Sequence, residues 1–76
     1  MEEFYDTNHE EIKHGDVLYN RFNDPPRMRV WADENNILRW EDDNTPLNEK
    51  YQFHRFWTVV MRDGKHFTSK NRNSIK

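Results

Sequence analysis

The chain has no cysteine and only two glycines among its 76 residues. No disulfide and no thiolate metal site is therefore available, and no glycine-rich loop exists to hold a phosphate. The longest apolar run is far shorter than the roughly 18 residues that a membrane-spanning helix needs. The first residues are acidic, unlike the basic and then apolar order of a secretory signal peptide. These absences predict a cytoplasmic chain, or one in an equivalent aqueous space, without a membrane partner.

Small aliphatic residues are also scarce, since the sequence contains one alanine and three leucines. Aromatic residues are abundant instead, with five Phe, three Trp and three Tyr. Each aromatic side chain can bury roughly 150–250 Å², so a few of them can form a core in a single small domain. Aromatic residues favour strands, whereas a helix bundle needs more alanine and leucine. The composition therefore predicts an all-β fold, or a β fold with a short N-terminal helix.

Runs of alternating or β-branched residues separated by turn signals predict the strands. The predicted strands are residues 17–22, 27–32, 37–40, 53–61 and 65–68. The turn signals are Asn and Pro residues at 23–26, the Asn35-Asn36 pair and the Asp63-Gly64 pair. Residues 1–14 are predicted to form an arm or a short helix, 15–68 a single β domain, and 69–76 a flexible basic tail. A turn of helix is expected near residues 47–50.

Part of the chain resembles an uncharacterised bacterial and phage family of SH3-like small barrels, whose signature runs roughly GDVVxLxSGGPxMTV. The matching residues are Gly15-Asp16-Val17-Leu18-Tyr19, then Pro26 and Met28 to Val30, and then Trp40. The Ser-Gly-Gly turn of the family is replaced by Asn23-Asp24-Pro25. The resemblance implies a small SH3-like barrel, and a rolled antiparallel sheet of about four to five strands is the alternative. It implies no function, because a fold does not supply one.

Residues that carry catalysis are missing from the sequence. No Gly-x-Ser-x-Gly motif and no cysteine nucleophile occurs, and both serines lie near the C-terminus. His9 and His14 are five residues apart, which does not fit the spacing of zinc ligands on a helix. The acidic run at 41–43 lacks the alternation of a calcium-binding loop. We therefore expect no enzyme, no metal and no cofactor.

Charge is distributed unevenly along the chain. Residues 1–50 carry a net charge of −7 and residues 51–76 a net charge of +5. The two halves either attract each other within the fold, as neighbouring strands often do, or one of them meets a charged partner.

The leading functional hypothesis is a small protein-binding module, for example a phage-type accessory regulator or inhibitor of a larger host protein. Trp31 lies on the strand face opposite Met28 and Val30, next to Arg29, and such aromatic–arginine pairs are typical of binding hot spots. The predicted contact residues are Trp31, Arg29, Glu41, Asp42 and Asp43. The alternative for Trp31 is a structural role, packed under the N-terminal arm against Phe4 or Tyr5.

Two further hypotheses concern the second half of the chain. Nucleic-acid binding would use the basic residues that are interleaved with aromatics there, because cations bind phosphates and rings stack on bases. Those basic residues are Arg55, Arg62, Lys65, Lys70 and Arg72. Against this, the sequence pI is about 6.0, whereas nucleic-acid modules are usually basic. The third hypothesis is a homodimer, formed through the strand at residues 56–61, which is apolar on both faces, or through an exposed edge beside it.

Overall fold

A computed structural model of the chain describes residues 3–69. It contains one antiparallel sheet of five strands, in the order β3-β2-β1-β4-β5. The strands are β1 Val17–Tyr19, β2 Arg27–Ala32, β3 Leu38–Trp40, β4 Thr58–Arg62 and β5 Lys65–His66. A 3₁₀ turn at Glu49–Tyr51 and one short helix, α1 at Phe53–Phe56, precede β4. The predicted β fold is confirmed, but the sheet is not closed into a barrel, because β3 and β5 are its outer strands.

The strand ends follow from the chemistry of the turns. Strand β1 stops at Tyr19, three residues earlier than predicted, because Asn20 starts a turn. The Asn20 side-chain oxygen accepts a hydrogen bond from the Phe22 N–H at 2.9 Å. The Asp63-Gly64 turn was predicted correctly: both residues have positive φ, 55° and 74°, as a tight hairpin requires. The last strand is shorter than expected and ends at His66.

The prediction of one strand over residues 53–61 is wrong, because its first part is helix α1. A strand would put Phe53, Arg55 and Trp57 on the same face and bury the arginine with the two rings. A helical turn instead aligns Phe53 with Trp57, four residues later, and turns Arg55 outward. Phe53 and Trp57 are both buried, at 3% and 4% exposure, whereas Arg55 is exposed. Burying two rings without a charge explains why the helix forms.

The N-terminal segment is an ordered loop, so the predicted helix there is not found within residues 3–14. Tyr5 and Glu11 form an isolated antiparallel bridge, and Asp6 sits inside the loop with 1% of its surface exposed. One Asp6 carboxylate oxygen accepts hydrogen bonds from the Asn8 and Glu10 N–H groups. The other accepts from the Val59 N–H at 2.8 Å. A single buried carboxylate therefore holds the loop closed and fastens it to β4.

A second buried carboxylate, Asp16, pairs with Arg62 on β4. The two Asp16 oxygens accept bonds from Nε and Nη2 of Arg62, both at 2.9 Å. The Asp16 side chain is fully buried, and Lys13 donates its backbone N–H to the same carboxylate at 2.8 Å. The hydrogen bonds between Arg62 and Asp16 are the largest cause that raises the pKa of Arg62 above its ordinary value. The pair ties the start of β1 to the end of β4.

The core is built around the aromatic rings. Trp40 lies 4.9 Å from Trp57, 5.4 Å from Tyr51 and 5.8 Å from Phe53, measured between ring centroids. Trp40 and Trp57 are both buried. The remaining core residues are aliphatic: Ile12, Leu18, Val30, Leu47 and Val59.

Ser69 closes the described part of the chain. It is 3% exposed, and its hydroxyl donates a hydrogen bond to the Glu10 carboxylate at 2.7 Å. The rest of the tail that was predicted to be flexible, residues 70–76, lies outside the described residues.

Candidate functional site

The two faces of the sheet differ sharply in burial. Residues paired across antiparallel strands point to the same face. Leu18 pairs with Val59, and Val30 pairs with Trp40, and these buried residues form the core face. The opposite face, called the open face below, contains no buried residue among the pairs that define it. Its members are Val17, Tyr19, Arg27, Arg29, Trp31, Arg39, Thr58 and Met61.

At one end of the open face, each arginine is paired with a carboxylate. This paired end consists of Trp31, Arg29, Arg39, Glu41 and Asp33. Arg29 donates to Glu41 at 3.0 Å, and both side chains are about half exposed, at 54% and 52%. Arg39 lies directly across from Trp31 and donates to Asp33 at 2.8 Å. The end therefore combines a partly exposed indole ring with two neutralised arginines.

Asp33 is held by more than its ion pair. One oxygen accepts from Arg39, and the other accepts from the N–H groups of Asn35 and Ile37 at 2.8 Å and 3.0 Å. The Arg39 hydrogen bond is the largest cause that lowers the pKa of Asp33 below its ordinary value, and the backbone bonds act in the same direction. Asp33 thus fixes both the β2–β3 turn and the orientation of Arg39.

The structure brings together some of the residues that the sequence singled out for protein binding. Trp31 is only partly exposed but lies outside the core cluster, on the same face as Arg29. Glu41 joins them through its ion pair. Asp42 and Asp43 lie in the exposed turn that follows β3, and the Thr45 hydroxyl and N–H lower the pKa of Asp43 by donating hydrogen bonds.

The alternative for Trp31 was packing against Phe4 or Tyr5, and no contact between the Trp31 ring and either of those rings is found within residues 3–69. The rings of Phe4 and Tyr5 contact Phe53 and His9, at 5.3 Å and 6.0 Å between centroids.

The other end of the open face carries exposed rings and arginines, and is called the cationic end below. It surrounds a shallow groove of about 220 Å³ that lies between the turn after β1 and helix α1. The groove is lined by Thr7, Tyr19, Asn20, Arg21, Phe22, Arg55, Phe56 and Thr58. Three of these are exposed rings: Phe22 at 74%, Phe56 at 42% and Tyr19 at 37%. Arg27 completes the end, because it pairs with Tyr19 across β1 and β2.

Two arginines of the cationic end, Arg21 and Arg55, contact aromatic rings instead of carboxylates. The Arg21 guanidinium carbon lies 4.8 Å above the ring of Phe22, and that of Arg55 lies 5.6 Å from the ring of Phe56. The ion pairs within residues 3–69 involve Arg29, Arg39 and Arg62. No carboxylate lines the groove. Positive charge is therefore uncompensated at this end of the open face.

The basic residues predicted for nucleic-acid binding do not form one surface. Arg55 belongs to the cationic end, and Lys65 is exposed on β5. Arg62 is engaged by buried Asp16, and its guanidinium carbon also lies 4.4 Å from the ring of Phe67. Lys70 and Arg72 lie outside the described residues.

Tyr19, Arg21, Phe22 and Phe56 were missed as site residues by sequence reasoning. Phe22 could have been identified from the sequence, because it directly precedes the turn Asn23-Asp24-Pro25-Pro26 and turns lie at the protein surface.

A larger groove of about 420 Å³ lies beside the N-terminal loop. It is lined by Glu3, Phe4, Tyr5, His9, Glu49, Gln52, Phe53 and His54. Two of its rings, Phe4 and Phe53, pack against each other, and Phe53 is buried in the core. The Tyr5 hydroxyl is hydrogen-bonded to Glu3, which raises the pKa of Tyr5. This groove is therefore a weaker candidate than the open face.

Residues 3–69 contain neither a cluster of metal-binding side chains nor a helix that could span a membrane. No group of three or more histidine, aspartate or glutamate side chains is arranged to hold a metal ion. No helix in this part of the chain has the length and apolar character needed to cross a bilayer.

Comparisons with protein-family models, with curated proteins and with solved structures gave no match.

Proposed function

We propose that the chain is a non-catalytic binding module that docks on a larger protein through the paired end of its open face. The observation that carries the proposal is Trp31, a large ring outside the core, set on an uncovered sheet face between two ion pairs. Tryptophan and arginine are among the residue types enriched at the energetic centre of protein interfaces.

The state of the two arginines favours a protein over a polyanion at this end. Arg29 and Arg39 each face a carboxylate at 3.0 Å or less, so their charges are already compensated. A phosphate that approached either arginine would lie close to Glu41 or Asp33 and be repelled by that carboxylate. A protein surface can instead cover the indole ring and meet both members of each pair with its own polar groups.

The geometry is also suited to a rigid contact. Asp33 accepts hydrogen bonds from the Asn35 and Ile37 N–H groups and from Arg39, and these contacts fix the end of the strand that carries Trp31. Arg39 additionally donates to the carbonyl oxygen of Asn44 at 2.9 Å. An interface residue that is already ordered loses little conformational entropy on binding. A small chain of this kind would act as an accessory regulator or inhibitor of the protein that it covers.

The test compares three tagged proteins in affinity capture from a nuclease-treated lysate: the unchanged chain, Trp31→Ala and Tyr5→Ala. Tyr5 is the matched control, since it is an exposed ring at 40% outside the open face. We expect one partner at constant stoichiometry with the unchanged chain and Tyr5→Ala. Trp31→Ala should lose it at least tenfold, the loss typical of a hot-spot residue.

Thermal unfolding of all three proteins is measured alongside the capture. Trp31→Ala should remain folded, because the ring lies outside the core. Equal capture by Trp31→Ala and the unchanged chain contradicts the proposal. Recovery of a second copy of the same chain, with no other protein, would instead favour the homodimer.

A further inference from the structure

We propose that the cationic end is a separate binding site for single-stranded nucleic acid. The inference rests on different residues from those of the proposed protein contact and does not depend on it. Its basis is the juxtaposition of Tyr19, Phe22 and Phe56 with Arg21 and Arg55 around one groove.

The rings at this site are available for stacking. Phe22 exposes 74% of its surface, and Phe56 and Tyr19 expose 42% and 37%. Scattered exposed apolar residues are ordinary, but these three line the same depression although Tyr19 and Phe56 lie far apart in sequence. They meet because β1 pairs with β4 and brings Tyr19 opposite Thr58, two residues after Phe56. Bases stack on such rings with little regard to sequence.

The charges at this site match a phosphate backbone. Arg21 and Arg55 line the groove, and neither takes part in an ion pair within residues 3–69. Each guanidinium lies against a ring. One Arg55 N–H group donates to the side-chain oxygen of Gln52 at 3.2 Å, and a guanidinium has five N–H donors, so others remain for a phosphate. The exposed carboxylate nearest in sequence, Asp24, is not among the lining residues.

The overall negative charge of the chain does not cancel this local field. The net charge is −2, but the local field depends on where the carboxylates lie, and none of those within residues 3–69 lines the groove. Screening at physiological salt acts over about 8 Å, so distant carboxylates affect the groove weakly.

A single strand fits these features better than a duplex or an acidic peptide. The faces of duplex bases are covered by their neighbours, so exposed rings would have nothing to stack on. An acidic peptide would satisfy the arginines but offers no flat π surface for three rings. A single strand supplies both phosphates and free base faces.

The experiment measures fluorescence anisotropy of a labelled oligothymidine of about 12 nucleotides, a length within the usual range of single-strand sites. Titrations are run from low to physiological salt with four proteins. These are the unchanged chain, Arg21→Gln/Arg55→Gln, Phe22→Ala/Phe56→Ala, and Lys13→Gln/Lys50→Gln as the matched control. Lys13 and Lys50 are exposed cations that do not line the groove, so the control removes the same number of charges elsewhere.

We expect the arginine variant to bind at least tenfold more weakly at low salt. Its salt dependence should also become shallower, by about 1.4 in the slope of log K against log salt, because two phosphate contacts are lost. The ring variant should lose a similar factor in affinity while keeping the original slope. Lys13→Gln/Lys50→Gln should stay close to the unchanged chain in affinity, because neither lysine lines the groove. Circular dichroism checks that each variant is folded, as expected for exposed side chains.

Two results would overturn the proposal. One is an unchanged chain that does not bind the oligonucleotide even at low salt. The other is competition by polyglutamate as effective as that by unlabelled oligonucleotide, which would assign the groove to an acidic polypeptide.

Discussion

The paired end and the cationic end of the open face are built from the same kinds of side chain, yet we propose different ligands for them. Both place arginines next to an aromatic ring. They differ in where the carboxylates lie: Glu41 and Asp33 neutralise Arg29 and Arg39, whereas no carboxylate lines the groove around Arg21 and Arg55. The two proposals therefore rest on whether a carboxylate faces the arginine, and not on the aromatic–arginine pair alone.

The largest expected effect concerns the scaffold that both ends share. Asp16→Ala should lower the free energy of unfolding by about 3–5 kcal/mol, because it leaves the Arg62 charge partly buried without its partner. A domain of 76 residues has a total stability of only about 4–11 kcal/mol. Both ends should therefore lose function together in this variant. Urea unfolding followed by tryptophan fluorescence measures the change.

The matched control for Asp16→Ala is Glu41→Ala, which breaks the exposed pair with Arg29. An exposed ion pair contributes only about 0.2–1 kcal/mol. Similar losses in the two variants would show that burial does not distinguish the pairs and would contradict this interpretation of Asp16.

A smaller effect is expected from converting the paired end into a cationic one. The double variant Asp33→Asn/Glu41→Gln keeps the size of both side chains but removes the charges that neutralise Arg39 and Arg29. We expect it to bind single-stranded oligonucleotide roughly three- to tenfold more tightly at low salt, with a steeper salt dependence. Anisotropy titration measures both quantities.

Arg21→Gln/Arg55→Gln in the same background is the control for that gain. The added affinity should persist when the cationic end is disabled. If the double variant binds no better than the unchanged chain, the contrast between the two ends does not depend on their carboxylates.

The smallest effect is a pH dependence of stability that comes from Asp33. Its pKa is lowered from the ordinary value of 3.8 mainly by the Arg39 hydrogen bond. A group with a depressed pKa in the folded state stabilises the fold above its unfolded pKa and loses that contribution as the pH falls through the folded value. The difference in urea midpoint between the unchanged chain and Asp33→Asn should therefore be constant near neutral pH and shrink below about pH 4. A difference in urea midpoint that does not change with pH would contradict this contribution of Asp33 to stability.

Local pattern accounts for the parts of the fold that were predicted correctly. Strand β2 was predicted with its observed ends, because Met28, Val30 and Ala32 alternate with polar positions between two clear turns. Helix α1 was missed because residues 53–61 contain aromatic and β-branched residues typical of a strand. Its conformation is set by Trp40, which packs against both Phe53 and Trp57 and is distant in sequence.

The candidate site also has a part that local sequence pattern predicts and a part that depends on contacts between residues distant in sequence. Trp31 and Arg29 were identified because they alternate with core residues on one strand. The cationic end could not be predicted, since it depends on β1 pairing with β4. The role of Arg62 was also hidden, because its partner Asp16 is 46 residues away in the sequence.

The most direct test of the division between the two ends is a titration of ¹⁵N-labelled protein with the oligothymidine, followed by NMR. The three tryptophan indole N–H signals report on the paired end (Trp31) and on the core (Trp40 and Trp57). We predict shifts in the amide signals of Tyr19, Phe22 and Phe56, with the Trp31 indole signal unchanged. A shift of the Trp31 signal as large as those of the cationic end would contradict the division, because the open face would then act as one surface.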